Sequence, residues 1–284
     1  MLSDISLPPL PINHIKFLEY IKSQPTTPIE KLIETYEDYD SVLREIFAQM
    51  PSHELLSENL LNVVPLYDNH GWADVRVRAR DIASESDSLK RSPAVVSTFR
   101  EFEANFDNVV VAGSAVVIPL LPVPEEFRGS RQRLRGFYHE KFTPAYDVDL
   151  SLYGLTEDQA VDKIRQIERS IRDSICHETV TVRTKNAIMI ASQHPIRYVQ
   201  IVLRIYKSIS EILTGFDVDC SCAAYDGQNV YLASYITKTN RINLSRRSPS
   251  YESRLSKYAR RGFEIFYPQL DLSRINPVGT NDCA

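Results

Sequence analysis

Apolar side chains recur at helical spacing through the first third of the chain, at Ile15, Leu18 and Ile21 and again at Ile29, Leu32, Ile33 and Tyr36. The same period continues over 41–49 and around 54–61, with Pro51 marking a break between the two. A further helix is predicted over 94–105. Two stretches interrupt the pattern: the proline-rich start ending in LPPLP reads as extended, and the Ser-, Asp- and Arg-rich run 80–92 reads as an exposed connection.

From Asn108 the period changes. Val109-Val110-Val111-Ala112 is a β-branched run ended by Gly113-Ser114 and followed by the apolar stretch 115–121, which predicts strand, turn and helix. Residues 122–144 hold prolines, glycines and the basic cluster Arg128, Arg131, Arg133, Arg135 and Lys141, and predict a long loop. Over 146–153, apolar positions alternate with Asp147, Asp149, Ser151 and Tyr153, so both aspartates project from one strand face. A helix over 156–174 follows, capped by Thr156 with Glu157 and Asp158 near its positive end. Strands are predicted over 179–182, 187–192 and 198–202 running towards Tyr206, then a helix over 208–213 ended by Gly215. Residues 216–224 alternate again, placing Asp217 and Asp219 on one face of a strand. The fold class is therefore α+β, a mixed sheet flanked by helices, with a helical N-terminal region over 1–107 and an α/β domain over 108–284.

Composition narrows the classes of function. The 284 residues are 43% hydrophobic and 25% charged, an ordinary globular balance, and the net charge of −4 advertises no polyanion partner. Any phosphate contact has to come from a local basic patch. No apolar run approaches the roughly 20 residues of a membrane helix. The four cysteines show no paired CxxC spacing and no apolar leader opens the chain, which predicts reduced thiols in a cytoplasmic or nuclear protein. Cys220 and Cys222 read as small buried hydrophobes, and His194 and Trp72 as structural. Nothing places a histidine beside a nucleophilic serine or cysteine, so hydrolase chemistry has no foothold.

The chemistry lies in the acids. Two carboxylates at i and i+2 on a strand sit side by side, close enough to share a hard divalent cation, and without one they disfavour each other's ionisation. A lone Asp-x-Asp triplet is more often a solvated strand; here there are two, each among apolar strand residues. The Gly113-Ser114 turn lets backbone approach a phosphate at the start of a helix. Taken in order, strand-Gly-Ser-helix, Asp-x-Asp on a strand and a later acid, the chain resembles the DNA polymerase β-like nucleotidyltransferase superfamily. That superfamily carries a glycine followed by Gly or Ser, two alternating acids and a third acid on a neighbouring strand. The segments RTKNAIMIASQHPIRYVQIVLRIYKSISEILTGFDVDCSCAAYDG and RRSPSYESRLSKYARRGFEIFYPQLD look like nucleotidyltransferase-like domains of fungal and protist ankyrin-repeat proteins and of some viral proteins. No ankyrin repeats are visible in this chain.

The resemblance implies that Gly113 and Ser114 cradle phosphate, that Asp147 and Asp149 hold Mg²⁺ (or Mn²⁺), and that Asp217 is the third acid, with Asp219 the competing choice. Asp147, Asp149 and Asp217 are then the expected catalytic residues and, with Asp219, the expected metal ligands. The turn reads Ala-Gly-Ser-Ala where related domains often have a second glycine, and the loop before Asp147 is long. The implied reaction moves a nucleoside monophosphate from an NTP to a hydroxyl of a protein, an RNA end or a nucleotide, releasing pyrophosphate. The alternative is a catalytically inactive module of the same fold for nucleotide binding or protein interaction. Downstream, Arg246-Arg247-Ser248-Pro249-Ser250-Tyr251 leads into a helix whose Arg254, Lys257 and Arg261 share a face. Arg247, Ser248 and Lys257 are expected phosphate contacts, against the plainer reading of a solvated basic face. Tyr251 and Tyr258 are either stacking partners for a base or core residues. The oligomeric state is left open.

Overall fold

Eight strands pair into one mixed sheet. They are β1 (Val63–Pro65), β2 (Val109–Ala112), β3 (Val148–Tyr153), β4 (Thr179–Arg183), β5 (Ala187–Ser192), β6 (Val199–Tyr206), β7 (Ala223–Tyr225) and β8 (Val230–Ala233). The computed structural model describes residues 23, 26, 40–50, 52–57, 63–65, 106–121, 123–128, 130–142, 147–193, 196–233, 239–242 and 247–266. Apart from Ser23 and Thr26, both at turns, the expected helices over 15–36 lie outside them, as do the expected helix over 94–105, the connection 80–92, Trp72, His194 and Cys283.

The strand order is β1-β8-β7-β2-β3-β6-β5-β4. Only β3 and β6 run parallel; their chain connection includes the β4–β5 hairpin and the helix preceding it. The other neighbours are antiparallel. Two further short strands, β9 (Thr239–Arg241) and β10 (Glu264–Phe266), pair in parallel apart from this sheet. The helices are α1 (Ser114–Leu120), α2 (Glu125–Arg128), α3 (Arg131–Gly136), α4 (Glu157–Ser174), α5 (Ile209–Thr214) and α6 (Tyr251–Ala259). Residues 40–49 are helical as well, while the expected helix around 54–61 is described only as a 3-10 turn, Glu54–Ser57.

Because neighbouring residues of a strand point to opposite faces, β2 separates two cores. Val109 and Val111 join the larger one, with α1, Ile167 and Ile171 of α4, and Tyr251, Leu255 and Tyr258 of α6. Val110 and Ala112 join the smaller one, under Ile209, Ile212 and Leu213 of α5. The N-terminal region contributes to both: Leu43 is in the larger core, and Val63 of β1 is in the smaller. Arg44 Nη1 also donates to the Phe216 carbonyl at 3.1 Å. A strand in that region escaped the helical periodicity, being only three residues long.

Local chemistry explains the elements that formed as expected. α4 begins with a capping box, Thr156 Oγ1 accepting from the Gln159 N–H while Gln159 Oε1 accepts from the Thr156 N–H. α5 begins at Ser208, whose hydroxyl accepts from the Glu211 N–H, and ends at Gly215. Cys220 and Cys222 are buried, as expected of small hydrophobes.

Two expectations are corrected. Residues 122–144 are not one long loop: α2 and α3 form there, and α3 runs on into a π-helical turn, Phe137–Phe142. Ser130 caps α3 by accepting from the Arg133 N–H, and Phe127, Leu134 and Phe137 pack onto the larger core. The density of arginine had obscured that apolar spacing. Nor is 216–224 one strand. Asp219–Ser221 curl into a 3-10 turn, closed by the Ser221 hydroxyl donating to the Val218 carbonyl at 2.7 Å and the Cys222 N–H donating to Asp219 O at 3.0 Å. Extended pairing begins only at Ala223, so Asp217 and Asp219 do not share a strand face.

Candidate functional site

The acid pair stands where the two most central strands meet. Asp149 is the second residue of β3, and Asp147 precedes the strand by one position. Ala112, the last residue of β2, pairs with Asp149, so the Gly113-Ser114 turn leaves β2 directly beside the carboxylates. On the other side, β6 places Gln200 in register with Asp149. Gln200 Nε2 donates to Asp149 Oδ1 at 2.9 Å. The Asp149 carboxyl is raised from 3.8 to about 6, first by burial and then by the charge of Asp147. Lys257, the Gln200 hydrogen bond and Arg254 pull it back down. Two carboxylates held in this way disfavour each other's ionisation, a penalty that nearby positive charge relieves.

Gly113 has φ +83° and ψ −144°, a conformation open essentially to glycine alone. A Cβ placed there would meet only Phe216 Cζ, at 3.9 Å, an ordinary contact. Substitution is therefore costly through backbone strain, not through a clash. Gly113→Ala and Gly113→Val are both expected to lose about 1–3 kcal/mol in denaturant unfolding. An unchanged midpoint for Gly113→Ala would show that the turn relaxes. The Gly113 N–H is engaged by the Ala223 carbonyl at 2.9 Å, and the Ser114 and Ala115 N–H groups follow it at the start of α1.

The Ser114 hydroxyl is 2.7 Å from the Tyr258 hydroxyl, which couples the turn to α6. Tyr258 and Tyr251 are both buried, settling their role as core residues and not stacking partners for a base. Burial also raises the Tyr258 phenol above its ordinary range. On the same helix Lys257 is half-buried, and its ammonium is lowered by burial and by Arg261 and Arg254 while Asp147 and Asp149 raise it. Lys257 and Arg254 of α6 thus both act on Asp149 through their charge, and Lys257 in turn feels Asp147 and Asp149.

Asp217 is buried, and its Oδ2 accepts from Ser248 Oγ at 2.8 Å and from Arg254 Nη2 at 2.6 Å. Ser248 therefore contacts a carboxylate. Arg247 is exposed and pairs with Glu252 at 2.6 Å. Asp219 is buried within its 3-10 turn. Among the described residues, no group of three or more His, Cys, Asp and Glu side chains is gathered as metal ligands. The structure therefore brings together Gly113, Ser114, Asp147, Asp149 and Lys257, and builds a second cluster from Asp217, Ser248 and Arg254.

Sequence reasoning missed two of these residues in their actual roles. Gln200 is the one amide in the strand run VQIVL, and the alternation that marks Gln200 as projecting away from Val199 and Ile201 was legible. Its pairing with Asp149 depends on a crossover of about fifty residues, which no local signal carries. Arg254 was read with Lys257 and Arg261 as one basic face. No helix among the described residues is long and apolar enough to cross a membrane.

A family model described as Gabija anti-defense 2 family protein matches residues 89–241, which contain the Gly-Ser turn, the acid pair, Gln200 and Asp217 but stop short of α6. An uncharacterised protein of Acanthamoeba polyphaga mimivirus is 39% identical over 155 residues, covering 48% of this chain and 34% of that protein. The chain thus spans about a third of the length of that viral relative.

Proposed function

The chain belongs to the Gabija anti-defense 2 family, and from that premise we propose that it acts against such a defence by Mg²⁺-dependent nucleotidyl transfer, on a nucleotidyltransferase-like sheet. The observation that carries this reading is the acid pair itself. Two half-buried carboxylates abut a glycine turn at the start of a helix, and burial, with the charge of the other, raises one of them to about 6. Oxygen donors of this kind suit magnesium or manganese. When bound, such an ion supplies positive charge to the triphosphate. Asp147 and Asp149 would hold it, the Ser114 and Ala115 N–H groups would donate to phosphate oxygens, and Lys257 would balance their charge. The acceptor hydroxyl oxygen bonds to the α-phosphorus as the bond from that phosphorus to the bridging oxygen breaks. Pyrophosphate leaves with the electron pair, and the hydroxyl proton passes to water.

A second reading is favoured by Gln200. In the superfamily this chain resembles, the third acid lies on a strand neighbouring the acid pair, and here the residues in register with Asp149 are Ala112 on β2 and, on β6, the amide Gln200. A module that binds nucleotide without transferring it fits that substitution. One experiment separates the two: incubate the protein with each α-phosphate-labelled NTP and Mg²⁺ or Mn²⁺, with protein, RNA and nucleotide acceptors, and follow pyrophosphate and labelled product. Binding without pyrophosphate release would leave only the module.

Lys257→Ala is expected to weaken Mg·NTP binding by about tenfold, the size of one charge-assisted phosphate contact. Calorimetry checks this, and an affinity within twofold of wild type would return Lys257 to the solvated face. Arg247→Ala, which removes an exposed charge already paired to Glu252, is expected to change little.

A further inference from the structure

Among the described residues, the sheet face that carries the acid pair continues beyond it to the edge of the sheet with no helix over it. In register with Asp149 lie Gln200 of β6, Met189 of β5 and Val182 of β4, one residue per strand. A second row runs parallel to it. The Val148 N–H donates to the Tyr198 carbonyl, and extension of the β5–β6 and β4–β5 pairing aligns Tyr198 with Ala191 and Ala191 with Val180, beside Asp147. Val180, Val182 and Tyr198 are 59%, 47% and 49% exposed, among the large hydrophobic side chains most open to solvent in the described residues. These three side chains therefore share one face, and both rows lead to the carboxylates. The opposite side of β4 is engaged differently, Thr181 Oγ1 bonding Glu168 and Arg172 of α4.

We propose that this floor binds the acceptor, and that the acceptor is a polypeptide segment presenting a serine, threonine or tyrosine hydroxyl to the acid pair. The proposal rests on the nucleotidyl-transfer reading of that pair and names its substrate class. Continuity identifies the occupant as the acceptor, because whatever lies on the two rows ends at Asp147 and Asp149. Chemistry selects the class: neither row carries a lysine or arginine, so away from Lys257 and Arg254 at the acid pair an RNA backbone would find no counter-charge from the rows, whereas apolar side chains find valine, methionine and tyrosine. From β4 to β3 is three strand spacings, about 14 Å, which an extended chain covers in about four residues.

The test uses a degenerate nonapeptide library with a central hydroxyl residue, an oligoadenylate RNA, α-phosphate-labelled NTPs and Mg²⁺, with peptide binding also measured by fluorescence anisotropy. Label is expected in peptides with apolar residues flanking the hydroxyl. Val180→Glu with Val182→Glu should lower that labelling tenfold or more, while Mg·NTP affinity stays within twofold of wild type and Val182→Thr, which keeps the β-branched shape, retains most of it. Label entering the RNA instead of the peptides, or peptides labelled by the double variant at the wild-type rate, would overturn the proposal. Peptide binding lost in the double variant of a protein that transfers nucleotide to nothing would support the docking floor and remove only the transfer reading. Absence of peptide binding to the wild-type protein would overturn the floor itself.

Discussion

Asp147→Asn and Asp149→Asn are each expected to abolish nucleotide incorporation, by roughly 10²–10³-fold or more, while leaving the protein folded. Neither carboxylate is part of an apolar cluster, and Asn is nearly isosteric with Asp, so no cavity opens. For Asp149 the substitution should also stabilise the metal-free protein. Its carboxyl titrates at about 6 when folded against 3.8 for the ordinary group, so the folded state binds the extra proton between those values. Stability contributed by this group is greatest below about pH 4 and is lost as pH rises through 6. The difference amounts to at most about 3 kcal/mol, reduced by the partial exposure of the side chain. Asp149→Asn should therefore flatten the fall in unfolding free energy between pH 4 and pH 6 while removing activity. A variant that keeps the wild-type turnover would end the assignment of the pair, whatever its stability.

How the site was legible follows from the distance over which each signal acts. Asp147, Asp149 and the Gly113-Ser114 turn were readable because period-two alternation and a glycine after a β-branched run are properties of a few adjacent residues. β4 and β5 were found within about a residue of their ends, and β6 with its start one residue early and its firm end at 202, short of Tyr206. α2 and α3 were missed because arginines at 128, 131, 133 and 135 interrupt the apolar positions that anchor them. The strand expected over 216–224 failed on side-chain competition, since the Ser221 hydroxyl reaches back to Val218 and closes a turn where alternation alone predicts extension. Gln200 and Arg254 were out of reach for a different reason. Each acquires its role from a partner far away in sequence, Asp149 for one and Asp217 for the other, and only the assembled sheet brings them together.

Asp217→Ala is expected to act chiefly on stability, which distinguishes it from the other two acids. The carboxylate is nearly buried, with 9% of its side chain exposed, and accepts from both Ser248 and Arg254, whose side chain is 39% exposed. Removing one partner of such a pair leaves a charge and a hydroxyl without their acceptor. The full cost of a buried pair, about 3–5 kcal/mol, is reduced by the exposure of Arg254, so a loss of roughly 2 kcal/mol is expected. Arg254 Nε is already buried without a partner among the described residues, and Nη2 would keep its contact with Ser248 Oγ. Arg254→Met should lose a similar amount, and the double variant less than the sum, giving a coupling of about 1 kcal/mol or more in a double-mutant cycle. The 3-10 turn at Asp219 and the first residues of α6 would loosen together, because Asp217 joins the segment before that turn to Ser248 and Arg254. Nucleotide incorporation should fall only as far as α6, with Lys257, is displaced from the acid pair. An Asp217→Asn protein with wild-type stability, additive energies in the cycle and no incorporation would show instead that this carboxylate serves the reacting groups directly, as the third acid.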